Sequence, residues 1–560
     1  MSFIISIVLI IPLIVEGLGI LSDRTPISYF YFFLPLCLFI FFIIKRKIVR
    51  FPLFATLCFI SFLIFSLISS LNFSVDKHVS FEWWLFYLSG FLLFIFFYNY
   101  KNEAKNILKS IIYIGSFIFI SGFLIKSLFP QFFLVQHIPL REFNLFFSYY
   151  TYNHNHLGDF LGLTLLLIIN KLQGNRSKLF LGLFFILFII FLYSFSRSAY
   201  VSFLFTLFIF ILFSRLKKNP VILSGRMIMM FFVSTILVSS FFILITSSFN
   251  GILKLPKKEL FDNRQNYLYQ GIAAIKEKPF FGFGMGNFGY ASRKYLINYD
   301  TFSETSHNLM IDSLVENGLL ATAFFTIFLL LVLRSTLRNK TIFSVILLYL
   351  FIVFQTDYIY RMYSILALFF ILAGTIYEEK KELENTSIFG LMALFLYIAL
   401  QIILVSAIFI RSNQFELATR IYPLNTSAYP FLINKRIQEG DSDGVVIAAN
   451  QYEQIAPDDE NVVRTLAETY LALGKKKEAL FYFEKMYKNN HLVGMPIVEQ
   501  IYQLKKETTT IQQAKAFIQQ VFLDYKKGPY WFRTQTLKEE IRTFCRKYKE
   551  EQICKKTGWR

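Results

Sequence analysis

The chain has 560 residues, 55% of them hydrophobic, with 70 Phe and a mean hydropathy of +0.50. That is too apolar for a soluble protein, whose surface must be largely polar, so most of the chain is expected to face lipid. The formal net charge is +20, but the basic residues fall in short clusters between apolar runs. This is the pattern of cytoplasmic loops rather than of a compact basic face, and it excludes a nucleic-acid partner.

Apolar runs that reach or approach the roughly 17–25 residues of a spanning helix begin near Ser2, Ile27, Pro52, Trp84, Ile107, Asn155, Leu179, Ala199, Met227, Asn308, Ile342, Tyr358 and Ile388. These predict about 12–13 transmembrane helices, the run from Ala199 to Phe213 being the weakest. The first run, Ser2 to Leu21, has no basic stretch before it and is followed by Ser-Asp-Arg-Thr-Pro rather than a small-residue cleavage site. It is expected to be a retained span, not a cleaved signal.

With the amino terminus cytoplasmic, loops after even-numbered helices carry Lys45, Arg46, Lys47 and Arg50; Lys101, Lys105 and Lys109; Lys171, Arg176 and Lys178; Arg215, Lys217 and Lys218; Arg334, Arg338 and Lys340; Lys380 and Lys381. The short odd loops hold few cations, so orientation and helix count support each other. The long polar loop at about 249–306 is then extracytoplasmic. Thirteen spans put the tail on that side too, and losing one would move it across.

Residues 1–410 are therefore expected to form a membrane domain and 411–560 a soluble helical tail. In the tail Pro423 and Pro457 lie 34 apart, and Leu466, Ala467, Tyr470, Gly474, Ala479 and Phe483 follow spacings that resemble a tetratricopeptide repeat. Such a unit must stack on something. It is either a docking module for a protein partner or acceptor, or a structural cap over the long loop. Cys37 and Cys58 sit in apolar runs; Cys545 and Cys554, nine apart, can pair if the tail lies in an oxidising compartment.

Ionisable groups at spanning helices are costly and are functional candidates by default. Arg197, in Ser-Phe-Ser-Arg-Ser-Ala-Tyr, would present a forked guanidinium suited to phosphate oxygens; its other reading is snorkelling to lipid headgroups. Arg264, in Asn-Arg-Gln-Asn-Tyr, is a second anion clamp or a solvated loop residue. Gly284, Gly286 and Gly289 spell GxGxxG, but no βαβ unit surrounds them, so they are read as a tight backbone path close to a ligand or helix. Asn308, Asp312 and Glu316 recur every fourth residue, one polar stripe that must face protein or water. His307 can accept a proton from a hydroxyl near neutral pH, although a lone loop histidine is more often inert.

Ser-Arg-Ser at 196–198, the loop with Arg264 and Lys-Pro-Phe-Phe-Gly-Phe-Gly-Met-Gly-Asn-Phe, and His-Asn-Leu-Met-Ile-Asp-Ser-Leu-Val-Glu-Asn-Gly at 307–318 together resemble the bacterial O-antigen ligase and polymerase superfamily. The resemblance is most specific from Arg197 to Gly318. It implies an all-α polytopic bundle like the C-type glycosyltransferases in the bacterial cytoplasmic membrane, with its active site extracytoplasmic. It also implies transfer of a glycan from undecaprenyl pyrophosphate to a glycan, lipid or protein acceptor, without a metal ion or other cofactor. Carried over, Arg197 and Arg264 hold the donor pyrophosphate, His307 activates the acceptor hydroxyl, and Asn155, Asn308 and Glu316 contact substrate. Asn155 and Glu316, with Asp159, read equally as caps and interhelical hydrogen bonds.

Ligase and polymerase are not separated by these motifs. A transporter or flippase would more often show inverted repeats and midplane charges, whereas the charges here collect at one face. A non-enzymatic scaffold would leave the two arginines and the histidine unexplained.

Overall fold

The computed structural model describes residues 30–102, 154–174, 178–194, 196–216, 259–296, 302–339, 341–490, 493–527 and 535–559, with scattered positions at 104–110, 233 and 236. The runs expected near Ser2, Ile107 and Met227 lie largely or wholly outside these residues. The other ten appear as helices. α1 (Phe30–Ile44) leads through β1 (Arg50–Pro52) to α2 (Leu53–Asn72) and α3 (Lys77–Asn99); α4 (His154–Gly174), α5 (Lys178–Tyr193) and α6 (Arg197–Leu216) follow. After the loop helices α7 (Glu259–Glu277) and α8 (Phe288–Lys294) come α9 (Leu309–Arg338), α10 (Ile342–Val353), a 3-10 turn (Ile359–Arg361), α11 (Tyr363–Ile376), β2 (Glu382–Glu384) and α12 (Thr386–Arg411).

Four of these, α2, α3, α9 and α12, are long and apolar enough to cross a membrane, and shorter apolar helices lie within α1, α4, α5, α6, α10 and α11. The protein is thus a multi-pass membrane helix bundle, with fewer full-length described spans than the thirteen expected. The differences are local: Tyr358 begins a 3-10 turn rather than a span, and α10 has only 12 residues.

Aromatic packing forms the core. α2 lies against α9 and α3 against α11; Phe59 stacks on Phe91 at 4.9 Å and Phe62 on Phe325 at 4.8 Å. Offset or edge contacts of this kind add about 0.5–1.5 kcal/mol each beyond simple burial. Phe54, Leu57, Ile64 and Ile68 form an exposed apolar stripe on α2, the surface a lipid-facing helix presents.

The two ends of the bundle differ. At one end β1 pairs antiparallel with β2, Arg50 opposite Glu384. Asn99 clamps the Arg50 backbone through both its amide atoms, Glu379 caps the start of α2 through the Phe54 and Ala55 amides, and Asn339 reaches the Ile376 carbonyl. Four of the basic segments therefore meet at that end. At the other end gather the α2–α3 turn, the loop helices, residues 302–308 and the 355–361 segment.

The carboxyl-terminal helices belong to this second end. α13 (Phe415–Ile421), α14 (Tyr429–Glu439), α15 (Ser442–Ile455), α16 (Glu460–Ala472), α17 (Lys476–Asn489), α18 (Met495–Thr508), α19 (Ile511–Lys527), α20 (Gln535–Tyr548) and α21 (Glu551–Thr557) pack largely as successive neighbours. Leu466, Ala467, Tyr470, Ala479 and Phe483 are buried between α16 and α17 and their neighbours. Gly474, at φ 71°, makes the turn between that pair. Cys545 and Cys554 form a disulfide. The tail is seated on the loop: Arg293 bonds Glu460 at 2.8 Å, and Tyr422, at the start of the tail, meets His78 at 3.0 Å. Loop and tail share one side.

Candidate active site

The site forms where α9 breaks. Gly318 has φ 72° and ψ −178°, a conformation essentially restricted to glycine. Residues 309–317 are thus a short helix set at an angle to the span that follows. The polar stripe Asn308, Asp312, Glu316 belongs to this short piece and faces protein, rather than continuing into the span. The break exposes backbone groups, and the glycine-rich loop takes them: Phe283 N donates to Val315 O at 2.9 Å, Gly284 N to Glu316 O at 2.8 Å, and Leu319 N to Pro279 O at 2.8 Å. A side chain at Gly318 would strike the Phe280 backbone, and one at Gly282 would strike Val315 and Glu316. The glycines serve close approach of loop to helix.

A buried charge cluster locks this junction. Arg361 bonds Asp312 at 2.9 Å and makes a shorter contact with Glu316, with Trp83 beneath it at 5.0 Å. Tyr360 donates to Asp312 at 2.5 Å. The carboxylates in turn accept from backbone: Asp312 from Ser306 N at 2.7 Å and Glu316 from Phe288 N at 3.2 Å. Glu316, expected from the resemblance to touch substrate, is occupied in this network. Asn308 caps α9, accepting from Met310 N and Ile311 N at 3.0 Å and donating to Gln355 O at 3.2 Å. Both positions hold the strand of chain that delivers His307.

His307 has φ 58°, a left-handed conformation uncommon for a non-glycine residue and concentrated at functional sites. Its ring lies flat against Tyr267 at 5.5 Å and edge-on to Tyr358 at 4.6 Å. Tyr267 comes from the loop helix α7, where burial raises its phenol pKa against the opposing effect of Arg264. Two aromatic rings from separate segments thus fix the imidazole plane.

Beneath the histidine lies Asp357, fully buried. Ser198, in the first turn of α6, donates to Asp357 at 3.0 Å and Tyr358 N donates at 2.7 Å. Arg264 approaches the same carboxylate at 3.7 Å and His307 Nδ1 at 3.7 Å. Those last two separations are too long for hydrogen bonds, and Nδ1 has no hydrogen-bond partner among the described residues. Asp159, on α4, is buried within electrostatic reach of Asp357 and Arg264, and neither of its carboxylate oxygens has such a partner among the described residues.

Three of the expected positions therefore converge: Arg264 and His307 on Asp357, with the backbone of Arg197 one residue from Ser198. The side chains of Arg197 and Asn155, which open α6 and the first turn of α4, lie outside the described residues. Sequence reasoning singled out neither Asp357 nor Arg361. The signal was present, since these are the only Asp, Glu, Lys, Arg or His residues in 341–376. Among the described residues no group of three or more His, Cys, Asp or Glu is arranged to hold a metal ion.

Residues 182–326 match the O-antigen ligase family, a stretch that contains Arg197, Arg264, the glycine-rich loop and His307. No curated protein matches the chain.

Proposed function

We propose that this membrane protein is a glycosyltransferase of the O-antigen ligase type. It would move a glycan from undecaprenyl pyrophosphate to an acceptor hydroxyl on the extracytoplasmic side of the bacterial cytoplasmic membrane. The observation that carries this reading is the convergence of Arg264, His307 and the start of α6 on buried Asp357, all but Asp357 within the stretch that matches the O-antigen ligase family.

With Nδ1 turned toward Asp357, His307 Nε2 is the proton acceptor. It takes the proton from the acceptor hydroxyl while that oxygen attacks the anomeric carbon. The bond from that carbon to the pyrophosphate oxygen breaks, and the leaving group departs with the electron pair. Arg264 and Arg197 stabilise the charge that develops on it, an interaction stronger in the transition state than in the ground state. Fixed guanidiniums would serve where other transferases use a metal. Attack opposite the leaving group inverts the anomeric centre. The shared side of loop and tail, together with the tail disulfide, supports an extracytoplasmic site, because disulfides persist in oxidising compartments. In this reading residues 1–410 carry the chemistry and 411–560 cover its outer face.

The test is transfer from purified lipid-linked glycan to candidate acceptors in detergent with chelator present. Wild type should be active, and Arg197→Ala, Arg264→Ala and His307→Ala, at equal folded amounts, should each lose about 10²-fold or more. Undiminished transfer in all three variants would overturn the site.

A further inference from the structure

Between the loop and the tail lies a cavity of about 210 Å³ that the transfer chemistry does not use. Its walls come from three separate parts of the chain: Asp76 in the α2–α3 turn, Tyr290, Arg293 and Glu304 in the outer loop, and the α15–α16 and α17 segments of the tail. The tail side supplies Asp458, Asp459, Glu460 and Asn489.

We propose that this cavity is a subsite for a neutral or amino-bearing saccharide residue of the acceptor, a proposal that rests on the transferase reading above and specifies its acceptor as a glycan. Several observations favour a sugar. The walls combine five carboxylates, three asparagine amides, one guanidinium and one phenol ring with apolar patches from Val75, Val79, Val463 and Met486. Carboxylates and amides accept from and donate to adjacent hydroxyls, and the ring offers a flat apolar face. The lining is more polar than apolar, which suits an amphiphilic sugar ring better than a lipid chain.

Position gives a second, independent argument. Glu304 precedes His307 by three residues, so the cavity edge is within about 10 Å of chain from the proton acceptor. A glycan whose terminal hydroxyl met His307 has this cavity within reach of its next residues. The walls are also braced as a site: Arg293 spans from Glu304 at 3.6 Å to Glu460 at 2.8 Å, tying loop to tail across the opening. Five carboxylates against one lining cation disfavour an anionic sugar, which would face like charge.

Saturation-transfer NMR on the full-length protein in detergent tests this with chitotriose, trigalacturonate and a lysine-rich peptide as probes. Wild type should bind chitotriose and not trigalacturonate. Asn489→Trp, which fills the cavity, should weaken chitotriose binding about tenfold or more, and Arg464→Ala, on the exposed face of α16, should leave it unchanged. Glu304→Ala, a milder change, should weaken it less, which guards against misfolding of the tryptophan variant. Equal chitotriose binding in wild type and both cavity variants, or preference for trigalacturonate or the peptide, overturns the assignment. Binding is read without turnover, so failure of wild type to transfer any glycan would break the proposed function separately.

Discussion

Two charged clusters lie side by side at the outer end of the bundle, and they are built on opposite principles. Arg361 with Asp312, Glu316 and Tyr360 is closed: every carboxylate has short partners, and the guanidinium sits on Trp83 with Nε alone of the cluster's buried side-chain atoms lacking a hydrogen bond among the described residues. Asp357 with Arg264, His307 and Asp159 is open: Asp357 accepts from Ser198 and the Tyr358 amide, but Arg264 and His307 stand 3.7 Å from it, and His307 Nδ1 and both Asp159 oxygens make no hydrogen bond among the described residues. Buried polar groups normally find partners, and each exception invites an explanation in function. The first cluster reads as scaffold and the second as a site held ready for a charged ligand.

The comparison breaks most sharply at Arg361. Arg361→Met should leave two buried carboxylates without their cation and cost about 3–5 kcal/mol. The expected result is loss of folded protein in detergent, followed by size-exclusion and thermal melting. Arg264→Met, by contrast, should preserve the melting temperature while abolishing transfer; equal melting losses in the two variants would erase the distinction. Gly318→Ala should come next, costing about 1–3 kcal/mol through its backbone conformation and freeing the loop, measured as faster hydrogen exchange at Phe283 and Gly284. Smallest is Asp159→Asn. Removing a buried carboxyl whose oxygens make no hydrogen bond among the described residues should leave stability unchanged or raise it by about 1 kcal/mol, while transfer falls. A clear drop in melting temperature would place Asp159 in the closed class.

Much of the arrangement was legible in the chain. Apolar run length located ten helices, and four of the six basic segments that were expected on one side meet at the β1–β2 end. Arg264 and His307 stood out because charge beside a span is rare. What remained hidden depended on contacts between distant segments. The α9 sequence runs continuously through Gly318, and only the approach of Phe280 and Gly282 makes that residue a break. The resemblance offered Glu316 as a substrate contact, and its stripe could not show otherwise, because its partner Arg361 lies 45 residues away. Asp357 was overlooked between two apolar helices whose loop is too short to show a motif.

The paired strands at the basic end have a mechanical consequence. They tie the start of α2 to the segment between α11 and α12, and Asn99 and Glu379 add further clasps. A bundle laced at its foot cannot splay there. On the proposed function, any widening that admits a bulky lipid-linked substrate from the side would pivot about that foot like fingers hinged at the palm, with the greatest travel at the tips where Arg264 and His307 stand.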